Sequence, residues 1–180
     1  MMHTLTQSCK SKQSYQIDWQ VKGFGLNKKI IETIDHKTIN PDLKVINVMS
    51  NSKHVNVTGL ALSLARSYAN AGFDTLLLEV NFRNPVFQTY FNLSPNAGIS
   101  YWIKDDIFPI LPHQENLDIL ASGAPMENVS AFLISKAFKE MLFNLKGLYD
   151  KIVIDTPTLS EHLDALIISD YACGNITIQD

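Results

Sequence analysis

The chain has 180 residues, 46% of them hydrophobic and 18% charged, with a formal net charge of −3. That length holds one domain with a substantial core, and the slight acidic excess removes any electrostatic ground for binding nucleic acid. No apolar run reaches the roughly 20 residues that cross a bilayer, none near the start has the form of a secretion signal, and Cys9 and Cys173 lack metal or disulfide spacing, so a reducing cytoplasm is expected.

Residues 1–43 are expected to form an N-terminal arm and a short helix. Positions 1–27 have no sustained periodicity; Ile30, Ile31 and Ile34 share one face of a predicted helix over Lys28–Ile34, and Asn40-Pro41 breaks the chain. A single α/β domain is expected over 44–180. KVINVMS (44–50) reads as a strand, and TGLALSLARSYANAG (58–72) as a helix closed by Gly72. DTLLLEV (74–80) is an apolar strand suited to a sheet covered on both faces. NFRNPVFQTYFNL (81–93) reads as a loop with a short helix, GISYWIKDD (98–106) as another short helix, followed by a loop rich in acids and prolines. NLDILAS (116–122) is a third strand. Ser130–Tyr149 reads as one long helix with Phe132, Leu133, Ala137, Met141, Leu145 and Leu148 on its apolar stripe. KIVID (151–155), a helix over Glu161–Ser169 and NITIQ (175–179) complete the pattern.

Strands alternating with helices predict an α/β fold, a mostly parallel sheet with helices on both faces. The last strand ends just before Asp180, so its edge calls for an added element, a covering partner or a compacted version of the fold.

The stretch VMSNSKHVNVTGLALSLA (48–65) is a strand, a polar loop and a helix, the setting of a P-loop. AGFDTLLLEVNFRNP follows, then NLDILASG, SKAFKEMLFNLKGLYDKIVIDTP and LDALIISD. In order and spacing these segments resemble the cytoplasmic domain of the bacterial tyrosine autokinases of capsule and exopolysaccharide synthesis (CpsD/CapB-like), relatives of the MinD/ParA-type P-loop ATPases. The resemblance runs from Val45 to Gln179, about three quarters of the chain. It implies a P-loop NTPase-like fold of the deviant Walker A type.

The departures fall on the chemistry. A P-loop reads G-x-x-x-x-G-K-[ST], because glycines turn backbone N–H groups toward phosphate, lysine supplies charge and the hydroxyl ligates Mg²⁺. Here the glycines become Asn51 and Asn56 and the lysine becomes Val57; Thr58 alone fits. Asparagine tolerates positive φ next best, which would keep the loop's path. The missing charge-assisted hydrogen bond is worth on the order of 1.5–3 kcal/mol, roughly 10- to 100-fold in affinity. In the family's D-x-D-x-R-x-P motif, Glu79 and Asn81 replace the aspartates while Arg83 and Pro85 match; Asp155 keeps the acid of the Walker-B-like strand.

The E-x-x-R-x-x-R ring-assembly segment is not seen before the first strand. Tyr15, Tyr68, Tyr90, Tyr101, Tyr149 and Tyr171 are scattered, with no tyrosine-rich tail.

Each candidate also has a plainer role. Asp155 and Thr58 would satisfy local backbone donors, and Lys53, the one nearby replacement for the lysine, reads as a solvated loop residue. The five histidines show no ligand spacing, and Tyr101, Trp102, Ile103, Phe108 and Ile110 read as a lid on the core. The expectation is a catalytically degenerate regulatory or scaffolding module in exopolysaccharide or capsule synthesis or export. No cofactor is expected; Mg·ATP enters only if the chain is instead a divergent ATPase or tyrosine kinase. A third reading is a MinD/ParA-like positioning regulator. The resemblance implies as partner the cytoplasmic part of a membrane protein that regulates polysaccharide chain length, recruiting the chain to the inner membrane. A homo-oligomer also fits.

Overall fold

The computed structural model describes residues 12–18, 43–94, 96–102 and 109–179. Along them run β1 (Gln13–Asp18), β2 (Val45–Ser50), α1 (Val57–Asn70), β3 (Thr75–Glu79), α2 (Phe87–Tyr90), α3 (Ile99–Trp102), β4 (Leu111–Gln114), β5 (Leu117–Leu120), α4 (Val129–Ile134), α5 (Lys136–Leu148), β6 (Lys151–Asp155), α6 (Asp164–Ser169) and β7 (Gly174–Gln179). The strands form one seven-stranded sheet in the order β1-β7-β2-β6-β3-β5-β4. Every pairing is parallel except β4 with β5.

VINVMS, TLLLE and KIVID are buried at every position, as a parallel sheet covered on both faces requires. Burial alone does not admit Lys151, which is 1% exposed; its Nζ donates to the Leu43 carbonyl at 2.9 Å and lies 5.1 Å from the Phe73 ring. Parallel strands need crossovers, so the C-terminal ends of six strands share one edge of the sheet. From β2 the chain crosses β6 to reach β3; from β6 it crosses β2 to reach β7. These opposite departures make a topological switch point between β2 and β6, where α/β sheets open a crevice. The loops leaving the two strands meet there, with Leu159 N–H donating to the Ser50 carbonyl at 2.8 Å.

The parallel fold with helices is as expected, and four local readings need correction. Gln13–Asp18, inside the segment read as an arm, is a strand paired with β7 from Gln13↔Gly174 to Asp18↔Gln179. Its polar sequence QSYQID hid it, and it supplies the cover that the β7 edge called for. Leu111–Gln114, read as loop, is an antiparallel edge strand carrying Pro112, which edges tolerate. The long helix is two: Ser135 sits extended at φ −66°, ψ 159°, and its hydroxyl accepts the Phe138 N–H at 3.2 Å. That break rephases the stripe, so Phe138, Met141, Leu142 and Leu145 are buried while Ala137 and Leu148 are exposed. Cys173, 4% exposed, is not a free thiol, against the reading that the cysteines are unlinked. Cys9, the helix at Lys28–Ile34, Ile103 and Phe108 lie outside the described residues. No helix among the described residues is long and apolar enough to cross a membrane.

Beyond β5, residues 98–100 run alongside 121–122, with Ile99 N–H donating to the Ala121 carbonyl and Ser100 N–H to that of Ser122, both at 2.9 Å. A Cβ on Gly98 (φ +144°) would come within 2.3 Å of the Gly123 backbone. Gly98→Ala should therefore cost about 2 kcal/mol or more, read as a lowered urea midpoint at unchanged slope.

Candidate functional site

The loop after β2 is closed by its own groups. The Ser50 hydroxyl accepts the Ser52 N–H at 3.0 Å, and the Ser52 hydroxyl accepts the His54 N–H at 3.2 Å. Asn51 N–H donates to the Ile178 carbonyl at 3.2 Å and Val57 N–H to that of Val55 at 3.0 Å. The Asn56 side chain then caps α1 by accepting the Gly59 N–H at 2.9 Å. Gly59 makes room for the cap, since a Cβ there would sit 2.6 Å from Asn56 Nδ2. Asn56 does this at φ −78°, and Asn51 is not among the positive-φ residues. The asparagines therefore do not stand in for glycine conformation. Asn56 takes up the helix N-cap role that its short polar side chain favours.

Val55 and Val57 turn inward and join the hydrophobic core, each 6% exposed. Val57 thus packs beneath the loop rather than walling a cradle. Lys53 points the other way, 64% exposed and 3.5 Å from Glu161 Oε1 on the loop after β6. A P-loop works by aiming backbone N–H groups and a lysine at phosphate. Here the amides of Asn51, Ser52, His54, Val57 and Gly59 are bonded within the chain.

Thr58 and Asp155 do meet. Thr58 Oγ1 donates to Asp155 Oδ2 at 2.7 Å, tying the first turn of α1 to the end of β6. Asp155 is 2% exposed. Burial raises its pKa to about 7, the Thr58 hydrogen bond working against the rise and the Glu79 charge adding to it. The next residue turns inward as well: the Thr156 hydroxyl donates to the Val48 carbonyl at 2.8 Å and lies 3.2 Å from Asn47 Oδ1.

Glu79 is fully buried and saturated. Its Oε1 accepts the N–H groups of Val86 and Phe87 at 2.6 and 3.0 Å; its Oε2 accepts the Ser122 N–H and hydroxyl at 3.0 and 2.7 Å. One carboxylate thus joins the end of β3, the start of α2 and the turn after β5. Asn81 closes its own turn by accepting the Asn84 N–H at 3.2 Å. Arg83 forms a bidentate pair with Asp164, Nε to Oδ2 at 2.7 Å and Nη2 to Oδ1 at 3.2 Å, and Ser130 adds a hydrogen bond to Asp164 at 3.0 Å. Burial pushes the Asp164 carboxyl up, but the bonds from Arg83 and Ser130 and the Arg83 charge hold it below its ordinary value.

Asp155 and Thr58 therefore come together, Glu79 sits beside Asp155 in register, and Asn51, Asn56 and Val57 are absorbed into loop and helix start. Sequence reasoning missed Asp164 and Ser130. The matched Arg83 was the available signal, since a conformationally costly arginine in a short turn needs an acid, though nothing in the spacing says which.

No family model matches the chain. Over 147 residues it is 32% identical to the tyrosine-protein kinase CpsD of Streptococcus pneumoniae, covering 76% of this chain. The chain spans only 62% of that protein's length. The fold is similar to the VpsO kinase domain, with a TM-score of 0.74 and 28% identity over 83% of this chain and 75% of that one. It is also similar to the cell division ATPase MinD of Pyrococcus furiosus (TM-score 0.59, 17% identity, 74% of this chain and 58% of that one), a likeness of fold alone.

An acid whose pKa is higher folded than unfolded keeps its proton longer in the fold. Its contribution is most favourable below the unfolded value near 4 and is lost as pH rises toward 7. Asp155→Asn should thus raise Tm by roughly a few degrees at pH 7.5 and change it little at pH 4, measured by calorimetry at both values.

Proposed function

We propose that this chain, a homologue of the bacterial tyrosine-protein kinases that shares their P-loop fold, is a catalytically silent member serving as a regulatory or scaffolding module. Its setting is bacterial exopolysaccharide or capsule synthesis or export. The partner is the cytoplasmic part of a membrane protein that regulates chain length, which would draw a cytoplasmic chain to the inner membrane.

One observation carries the reading. Where phosphate would need a cation and outward N–H groups, Val57 is in the core, and the amides of Asn51, Ser52, His54, Val57 and Gly59 donate to Ser50, Ser52, Asn56 and backbone carbonyls. Phosphoryl transfer is catalysed mainly by placed charge, and the acids here are poorly disposed to recruit it. Glu79 is saturated, while Asp155 gives one oxygen to Thr58, and burial raises its pKa to about 7, which leaves it partly protonated at neutral pH. What remains is the fold's surface, which is what a scaffold uses.

The Thr58–Asp155 pair is the observation that favours the second reading, a divergent ATPase or tyrosine kinase, because a hydroxyl and an acid stand together where Mg²⁺ chemistry would want them. That reading needs Lys53 to leave Glu161, or a partner's cation, to replace the missing charge.

Calorimetric titration with Mg·ATP separates the two. The silent reading expects no saturable binding at micromolar nucleotide, and expects Val57→Lys alone to leave this unchanged, because the amides of Ser52, His54 and Gly59 stay bonded to side chains of the loop. Micromolar affinity in the native chain, lost in Asp155→Asn, would overturn the silent reading, and phosphate release from that complex would establish the enzyme.

A further inference from the structure

The edge of the sheet opposite the crevice, where the strands begin, holds a cleft. Asp74 and Thr75 at the start of β3, Asn116 and Asp118 at the start of β5, and Leu148 and Tyr149 at the end of α5 line about 380 Å³. That volume falls in the range of ligand clefts, roughly 300–1,000 Å³. Backbone bonds brace its frame. Thr75 N–H donates to the Asn116 carbonyl at 2.9 Å, the Asp74 carbonyl accepts the Asp150 N–H at 2.8 Å, and Asp150 Oδ2 accepts the Asp74 N–H at 3.1 Å.

One wall is acidic and unmatched. The Tyr149 hydroxyl donates to Asp118 Oδ2 at 2.6 Å. Burial, that hydrogen bond and the charges of Asp118 and Asp74 hold the Tyr149 phenol above its ordinary pKa, so it stays neutral. Among the described residues no lysine, arginine or histidine pairs with Asp74, Asp118 or Asp150. Nor do the described residues gather three ligating side chains fit for a metal ion, so the charge suits a larger cation. The other wall is apolar. Leu148 is 62% exposed, turned out of the helix's buried stripe by the break at Ser135. A cation on an apolar stem matches both walls: lysine and arginine lay their methylenes on apolar surface, and a guanidinium pairs with carboxylates through two hydrogen bonds.

We infer that this cleft docks a basic segment of a partner protein, seating one arginine or lysine with its stem along Leu148 and its head against Asp74 and Asp118. Charge complementarity selects that occupant, and the exposed Leu148 calls for a cover wider than a free amine. Because the crevice lies at the other ends of the strands, docking here is independent of any nucleotide chemistry.

The test is fluorescence anisotropy of the full chain with a labelled octapeptide alternating arginine and leucine at low salt. Saturable binding is expected, lost when citrulline replaces arginine, weakened roughly tenfold by Asp118→Asn and several-fold by Leu148→Ala. Asp118→Asn keeps an acceptor for Tyr149 and Leu148 is exposed, so both variants should melt as the parent does. Glu127→Gln removes an exposed acid elsewhere and should change nothing. No saturable binding, equal binding of the citrulline peptide, or the same loss in Glu127→Gln as in Asp118→Asn overturns the inference. So does spermidine binding as tightly as the peptide, which would make the cleft a site for free amines.

Discussion

A parallel sheet buried on both faces leaves little water at its strand ends, so every polar group placed there must find its partner within the chain. Ser50, Glu79, Ser122 and Asp155 stand along that one edge, all nearly or wholly buried. Ser50 and Glu79 take backbone N–H groups, Ser122 takes Glu79, and Asp155 takes Thr58. The same edge is where a nucleotide would sit in the P-loop fold. The amides of Ser52, Val86, Phe87 and Ser122 donate to the Ser50 and Glu79 oxygens there, so those donors serve the fold.

This explains how the fold persists without the motif's glycines and lysine. Asn56 stabilises the start of α1 as a cap, by about 1 kcal/mol relative to alanine and only a few tenths relative to glycine. Val57 adds apolar surface to the core at the position where a lysine would have to reach outward. Each replacement favours the unliganded loop. On the second-motif side, Arg83 and Asp164 form a partly buried bidentate pair that fixes the turn after β3 against the start of α6. The loop after β2 and the turn after β3 are therefore each held by side chains of this chain.

Much of this was legible in the sequence where the physics is local. VINVM, TLLLE and KIVID announce themselves as strands because a doubly covered strand is apolar at every position. The loop after β2 follows from the strand–loop–helix order, whereas its place at a switch point depends on the strand order of the sheet. What failed was where context overrides pattern. QSYQID looks like arm because its pairing partner lies far away in the chain, and Pro112 disguised an edge strand. Ser135 looked like one more helical residue, although its side chain serves better as a cap and divides the helix. At the site, Thr58 and Asp155 read as partners of local backbone donors, yet they bond each other; that pairing, the saturation of Glu79 and the choice of Asp164 by Arg83 depend on distances no spacing encodes.

The seating of β1 on β7 has a consequence for how the molecule is made. Gln13 finds its place opposite Gly174, so a strand that leaves the ribosome early stays unmatched until a late one arrives. Contacts so remote in sequence close slowly, and the interval leaves an extended polar segment waiting at the rim of an unfinished sheet. Glutamine, serine and aspartate in that segment, poor companions for a stray hydrophobic edge, suit it to wait without sticking.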